Sequence, residues 1–155
     1  MSLRTIILVL MFIMSFSPKV QAAQKPVERG ALAGLKSAKV IFDVRIADLD
    51  KLVFNLKLFQ ETLEGIESKG IKPSMVIAFR GPGVKLLTAA ALDEEAVDLF
   101  RTLKKKGVRF EVCSVAMRTF QADPAGLIPE VRSVENVFIS LIGYQNKGYA
   151  MIAIN

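Results

Sequence analysis

Apolar positions along the chain follow two rhythms that take turns. Ala38 to Ile46 (AKVIFDVRI) is a mostly apolar, β-branched run of the kind found in buried strands. The period then changes. Leu49, Leu52, Val53, Leu56, Phe59, Leu63 and Ile66 recur at spacings of three and four, which predicts an amphipathic helix with Asp48 as its N-cap and Gly70 and Pro73 as its stop. Pro73 to Arg80 reads as a second strand, broken by Gly81-Pro82-Gly83. Asp93-Glu94-Glu95 opens a second helix and Lys104-Lys105-Lys106 closes it, so that acids and bases complement the helix dipole. Its inner stripe is Ala96, Leu99, Phe100 and Leu103. Val108 to Cys113 alternates as a third strand, with Arg109 and Glu111 on one face and Val108, Phe110 and Val112 on the other. A short helix is expected over Ser114 to Asp123, a brief strand over Val131 to Val134, a last helix over Asn136 to Lys147 and a last strand over Tyr149 to Ile154.

Strands alternating with helices predict an α/β fold: one doubly wound, mostly parallel five-stranded sheet with helices on both faces, of flavodoxin-like type. Two helices carry surplus apolar surface. Phe54 and Leu58 lie outside the main stripe of the first, and Asn136 to Tyr144 in the last contains no charge. A helix of that composition is buried either in a deep core or against another subunit.

The N-terminus adds a compartment. Arg4, the apolar stretch Ile6 to Phe16, Pro18 and the small-residue ending at Ala22-Ala23 have the layout of a secretory signal peptide. The apolar stretch is about half the roughly 20 residues needed to span a bilayer, so no stable membrane anchor is expected after cleavage at Ala22 or Ala23. The expected organisation is a signal peptide over 1–22, a polar leader over 23–36 and one domain over 37–155, exported to the periplasm or secreted. Cleavage would remove Arg4 and Lys19 and no acid, lowering the net charge of +6 by two. The remainder is mildly basic and lacks the interleaved aromatics of a nucleic-acid surface. The chain has no His and one Cys. Ser-His-Asp and Cys-His catalysis, His-containing or Cys-rich metal sites and CxxC redox pairs are thereby excluded, and no cofactor or metal is expected.

Chemistry in an open parallel sheet sits beyond the carboxyl ends of the strands. Cys113 falls at such an end, where a starting helix offers N–H groups that stabilise a thiolate. Ser114 is a candidate cap for that helix, and Arg118, just over one turn on, a candidate source of positive charge. The alternative for Cys113 is inert packing, because free Cys is among the most buried residue types. Gly81-Pro82-Gly83 reads as a turn or as a backbone nest for an anion. Lys104 to Lys106 reads as a solvated helix end or a contact for an acidic partner.

With Cys113 placed, the chain from about Lys39 to Ile154 resembles the DsrE/DsrF-like family of small sulfur-relay proteins. KVIFDV is similar to the family's first strand. RGPGVKLL is similar to the loop after its second strand, where many relatives carry His in place of Arg80. GVRFEVC matches a Gly-Val-x-Phe-x-x-Cys pattern, and YQNKGYAMI resembles a closing Gln-x-x-Gly-Tyr-Ala segment. The resemblance implies assembly into trimers or hexamers and a sulfane sulfur held as a persulfide on Cys113. The partners would be sulfur donor and acceptor proteins or small sulfur anions. Arg80, Gly81, Gly83, Ser114 and Arg118 would surround the substrate. The chain departs from the family at Arg80, at Ser-Val-Ala-Met-Arg after Cys113 and at Ser133 to Asn136. These departures keep open a non-catalytic oligomeric module that binds a small ligand or serves assembly. A third reading is a redox protein forming a mixed disulfide through Cys113.

Overall fold

The computed structural model describes residues 30–155. The expected signal peptide and the first part of the leader lie outside the described residues. Five strands form one sheet: β1 (Ser37–Val44), β2 (Lys72–Phe79), β3 (Arg109–Cys113), β4 (Val131–Val134) and β5 (Ala150–Ile154). Their order is β4-β3-β2-β1-β5, and every neighbouring pair is parallel. Four α-helices connect them: α1 (Leu49–Glu67), α2 (Glu94–Lys105), α3 (Ser114–Phe120) and α4 (Val137–Asn146). This is the doubly wound α/β class that the alternation of periods predicts.

Capping follows from residue type. Asp48 accepts from the Lys51 N–H at 2.9 Å, Asp93 from the Ala96 N–H at 2.8 Å and Asn136 from the Phe138 N–H at 3.0 Å. Each satisfies a backbone donor that a helix start leaves free. Ser114, expected to cap α3, does not. The flanking position is Cys113, which makes no side-chain cap bond, and the Ser114 hydroxyl instead lies 2.7 Å from that of Ser133.

The two sheet faces are unequal. Phe42 packs on Phe59 of α1, and Phe79 and Phe110 pack on Phe100 of α2, with ring centroids 4.5, 6.1 and 4.8 Å apart. Successive strand residues point to opposite faces, so Asp43, Arg80, Glu111 and Cys113 belong to the other side. There α4 crosses back from β4 to β5. Val137 and Leu141 of α4 are buried, but Phe138, Ile139 and Ile142 are 53%, 63% and 61% exposed. The uncharged helix is therefore not a deep core element of the single chain. Phe54 and Leu58 are likewise exposed on α1.

The break at Gly81-Pro82-Gly83 opens a 3-10 helix over Gly81–Leu87, which the sequence pattern does not announce because Val84 and Leu87 give only one repeat of period three. Gly81 has φ +71°, a conformation that favours glycine. Gly83 passes so close to the loop after β1 that an added Cβ would lie 1.7 Å from the Ile46 carbonyl oxygen. Both glycines are thus accounted for by chain geometry, which favours the turn reading of this segment.

Candidate functional site

Cys113 ends β3 and is 5% exposed. Its Sγ accepts from the Val137 N–H at 3.5 Å. Val137 is the first residue of α4, so the helix start that reaches the sulfur is that of α4, which packs on the same sheet face as Cys113, rather than α3's. Amides at a helix start favour negative charge, and this contact is one that a sulfur anion would strengthen.

Positive charge comes from Arg80. It directly follows β2 and forms a bidentate pair with Asp43: Nε donates to Oδ1 and Nη2 to Oδ2, both at 2.7 Å. Asp43 is buried at the carboxyl end of β1. The Asp43 hydrogen bonds raise the pKa of Arg80, partial burial opposes this, and the negative charge of Asp43 adds to the rise. The guanidinium also lies over the Phe138 ring, 5.1 Å from its centroid. A fork gripped by one carboxylate and covered by a ring keeps its position, which a lysine would not. Arg118 is exposed in the last turn of α3 and makes no side-chain hydrogen bond or ion pair among the described residues. The structure thus brings Arg80 to the side of Cys113, places Ser114 against Ser133, and gives Gly81 and Gly83 structural duties.

Two acids escape a reading based on pattern. Asp43 is the one acid of β1, set in the buried run Val40 to Val44, and that isolation is the signal that marks it. Glu111 shares its face with Arg109, as alternation predicts, but this face is covered and Glu111 is 1% exposed. Its Oε1 accepts from Arg132 Nη2 at 2.8 Å and from the Tyr144 hydroxyl at 3.0 Å. Nearby, Arg109 Nη2 lies 2.6 Å from the Tyr149 hydroxyl, which is 2.7 Å from Ser74 Oγ.

The two tyrosines are consequently pushed apart. Burial, and then the negative charge and hydrogen bond of Glu111, raise the pKa of Tyr144. Burial also opposes ionisation of Tyr149, but the hydrogen bonds from Ser74 and Arg109 and the charges of Arg109 and Lys39 outweigh it and lower its pKa. The chain has two Tyr and no Trp. Tyrosinate absorbance should therefore rise in two steps, one below and one above the ordinary value of about 10. Tyr149→Phe should remove the lower step and Tyr144→Phe the upper. A single step, or the reverse order, contradicts the geometry. The stabilising share of Tyr144 is present below its unfolded pKa and is lost as pH rises through the folded value. That of Tyr149 is present only above its unfolded pKa and is lost as pH falls through the folded value.

Fold and site together define a parallel α/β domain with one thiol at a strand end, beside an arginine and a helix start. A model of the DsrE/DsrF-like family matches residues 39–154, and the chain belongs to that family. An uncharacterized protein of Aquifex aeolicus (strain VF5) is 28% identical over 124 residues, which are 74% of this chain and 55% of that protein. The chain thus spans about half the length of this curated relative. Among solved structures, the protein of unknown function MTH1491 from Methanobacterium thermoautotrophicum superposes with a TM-score of 0.64 at 21% identity. That match covers 76% of this chain and 99% of MTH1491. It shows a shared fold.

Proposed function

We propose that this chain is an exported sulfur carrier, with Cys113 as the atom that holds the cargo. The supporting observation is the Val137 N–H on the Cys113 sulfur, with Arg80, which follows Phe79 on the neighbouring strand opposite Val112, clamped by Asp43 under Phe138 of the same helix start. In this reading the Cys113 thiolate attacks the terminal sulfur of a polysulfide. An S–S bond forms, the neighbouring S–S bond of the donor breaks, and the donor leaves one sulfur shorter. An acceptor thiolate then attacks the outer sulfur of Cys113–S–S⁻ and regenerates the Cys113 thiolate. No oxidant or reductant is consumed. Arg80 and the start of α4 hold negative charge at both stages, and in this reading Ser114 and Arg118 serve the incoming donor. Residues 1–22 serve as the export signal. Polysulfide should add one sulfur to the wild-type protein and none to Cys113→Ser.

The same reading includes a homo-oligomer, a trimer or hexamer, supported by the exposed Phe138, Ile139 and Ile142 on α4. Apolar patches of this kind mark interfaces. Light scattering should give the wild type a mass of several protomers, and Ile142→Arg should move the protein toward one. A wild type that runs as a single chain at high concentration contradicts this part.

A second reading rests on the burial of Cys113, which at 5% exposure leaves little room for an incoming donor. In it the fold persists as a binding module and the thiol is packing. Complete protection of Cys113 from a thiol reagent until the protein unfolds would favour this reading.

A further inference from the structure

Charge in this domain is separated along the strand direction. All five strands run the same way, so their starts share one end of the domain and Cys113 lies at the other. Lys36 precedes β1, Lys72 and Arg109 are the first residues of β2 and β3, and Lys104 to Lys106 end α2; all are exposed. The acids at this end are mostly engaged. Glu64 pairs with Lys106 at 2.5 Å, Glu130 with Arg101 at 3.6 Å and the buried Glu111 with Arg132 at 2.8 Å, while Glu67 stays exposed. The opposite end is mixed, because Asp48, Asp50 and Asp93 to Glu95 at the helix starts offset Arg45, Lys51 and Lys85. Complementing the helix dipole explains Lys104 to Lys106. It does not explain Lys36, Lys72 and Arg109, which stand at strand starts. Leu35, beside Lys36, is 49% exposed, and the Lys36 carbonyl accepts from the Lys72 N–H at 3.2 Å, which fixes this segment at the basic end.

Lysine carries a compact, strongly hydrated charge on a flexible stem. Lysines spread across a whole end of a domain suit a diffuse sheet of negative charge, such as a bilayer of anionic lipids presents within a Debye length of its surface. An apolar side chain set among them, here Leu35, adds contact at the headgroup boundary. We propose that the basic end docks reversibly on an anionic phospholipid bilayer. Arg109 and Cys113 are the two ends of β3, so docking leaves the thiol facing away from the lipid, toward soluble partners. Nucleic acid fits this end less well. Its two tyrosines are half-buried and bonded to Ser74, Arg109 and Glu111, so neither ring is free for a base to stack on. The chain also enters the sheet at this end, at Ser37, so a signal peptide still in the membrane would present it to the lipid first. That last support rests on the export reading, whereas the charge separation does not.

Vesicle sedimentation of the protein as purified tests it, with phosphatidylcholine alone and with phosphatidylcholine mixed with phosphatidylglycerol. Binding is expected to the mixed vesicles only. It should disappear as salt rises from about 0.1 to 1 M, where the screening length falls from about 10 Å to 3 Å. Lys72→Gln with Lys105→Gln removes two charges from the basic end and should weaken binding at least about tenfold. Lys51→Gln with Lys85→Gln removes the same charge from the opposite end and should change binding less than about twofold. All four lysines are exposed, so both double variants should fold. Equal loss in the two overturns the proposal, because net charge rather than the basic end would then be responsible. Absence of binding to the mixed vesicles overturns it too, as does a protein that binds an oligonucleotide but not the vesicles. Equal binding to both kinds of vesicle overturns it as well. The intact mass shows separately whether residues 1–22 are retained, which would be a failure of the export reading and not of the basic end.

Discussion

Gly83→Ala should be among the most damaging single substitutions in this chain. The added methyl would sit 1.7 Å from the Ile46 carbonyl oxygen and 2.8 Å from its carbon, with the Ala47 nitrogen at 3.5 Å. All three are backbone atoms, so no side chain can rotate away. Either the 3-10 segment or the loop between β1 and α1 must move by more than an ångström. Overpacking of this kind costs about 1–3 kcal/mol and sometimes more. For a domain of this size that corresponds to a fall in Tm on the order of 10 °C. Arg80 immediately precedes this segment, so the displacement should also loosen its hold on Asp43. Gly65→Ala is the matched control. Gly65 lies within α1 with nothing within 4 Å of an added Cβ, and Ala there should raise stability by about 0.5–1 kcal/mol. Thermal unfolding of the two variants checks both signs. A Gly83→Ala protein that melts with the wild type would show that the two backbones do not approach as described.

The elements were legible because each carries its own local rule. The stripe from Leu52 to Ile66, the caps Asp48 and Asp93 and the acid-to-base polarity of α2 all act within one helix. Sequence alone therefore places these starts and ends within about two residues of those observed. The carboxyl end of β3 was legible in the same way, since alternation stops at Cys113. What surrounds the thiol was not. Val137 N–H is 24 residues from Cys113 along the chain and reaches it only because α4 crosses the sheet face to which Cys113 points. Asp43 and Arg80 meet because β1 and β2 pair in a register that puts Val44 opposite Phe79. The burial of Glu111 depends on where α4 lies, and alternation reports a face without saying what covers it. Ser114 shows the converse: a residue suited to capping was claimed by Ser133, a partner brought near by the pairing of β3 with β4. Local chemistry thus gave the strand end, and tertiary register decided what the strand end touches.

The second large effect is the loss of sulfur uptake in Cys113→Ser. The chain has one Cys, so no other thiol can take over. Serine keeps the size and a hydrogen-bond acceptor for Val137 N–H, so the site should stay folded, but its hydroxyl is not ionised near neutral pH and does not take part in thiol exchange. Uptake should fall to background rather than slow by a modest factor. Because Cys113 is buried in the resting chain, the wild-type rate should be set by opening at the start of α4, where Phe138 leans on Arg80.

Intact mass spectrometry of the purified protein, before and after polysulfide, reads the central claim directly. The same spectrum reports whether cleavage has occurred after Ala22 or Ala23. Sulfur carriage predicts a gain of one sulfur, about 32 Da, that a reductant reverses and that Cys113→Ser does not show. A folded wild type whose Cys113 reacts with a thiol reagent yet gains no sulfur would contradict it.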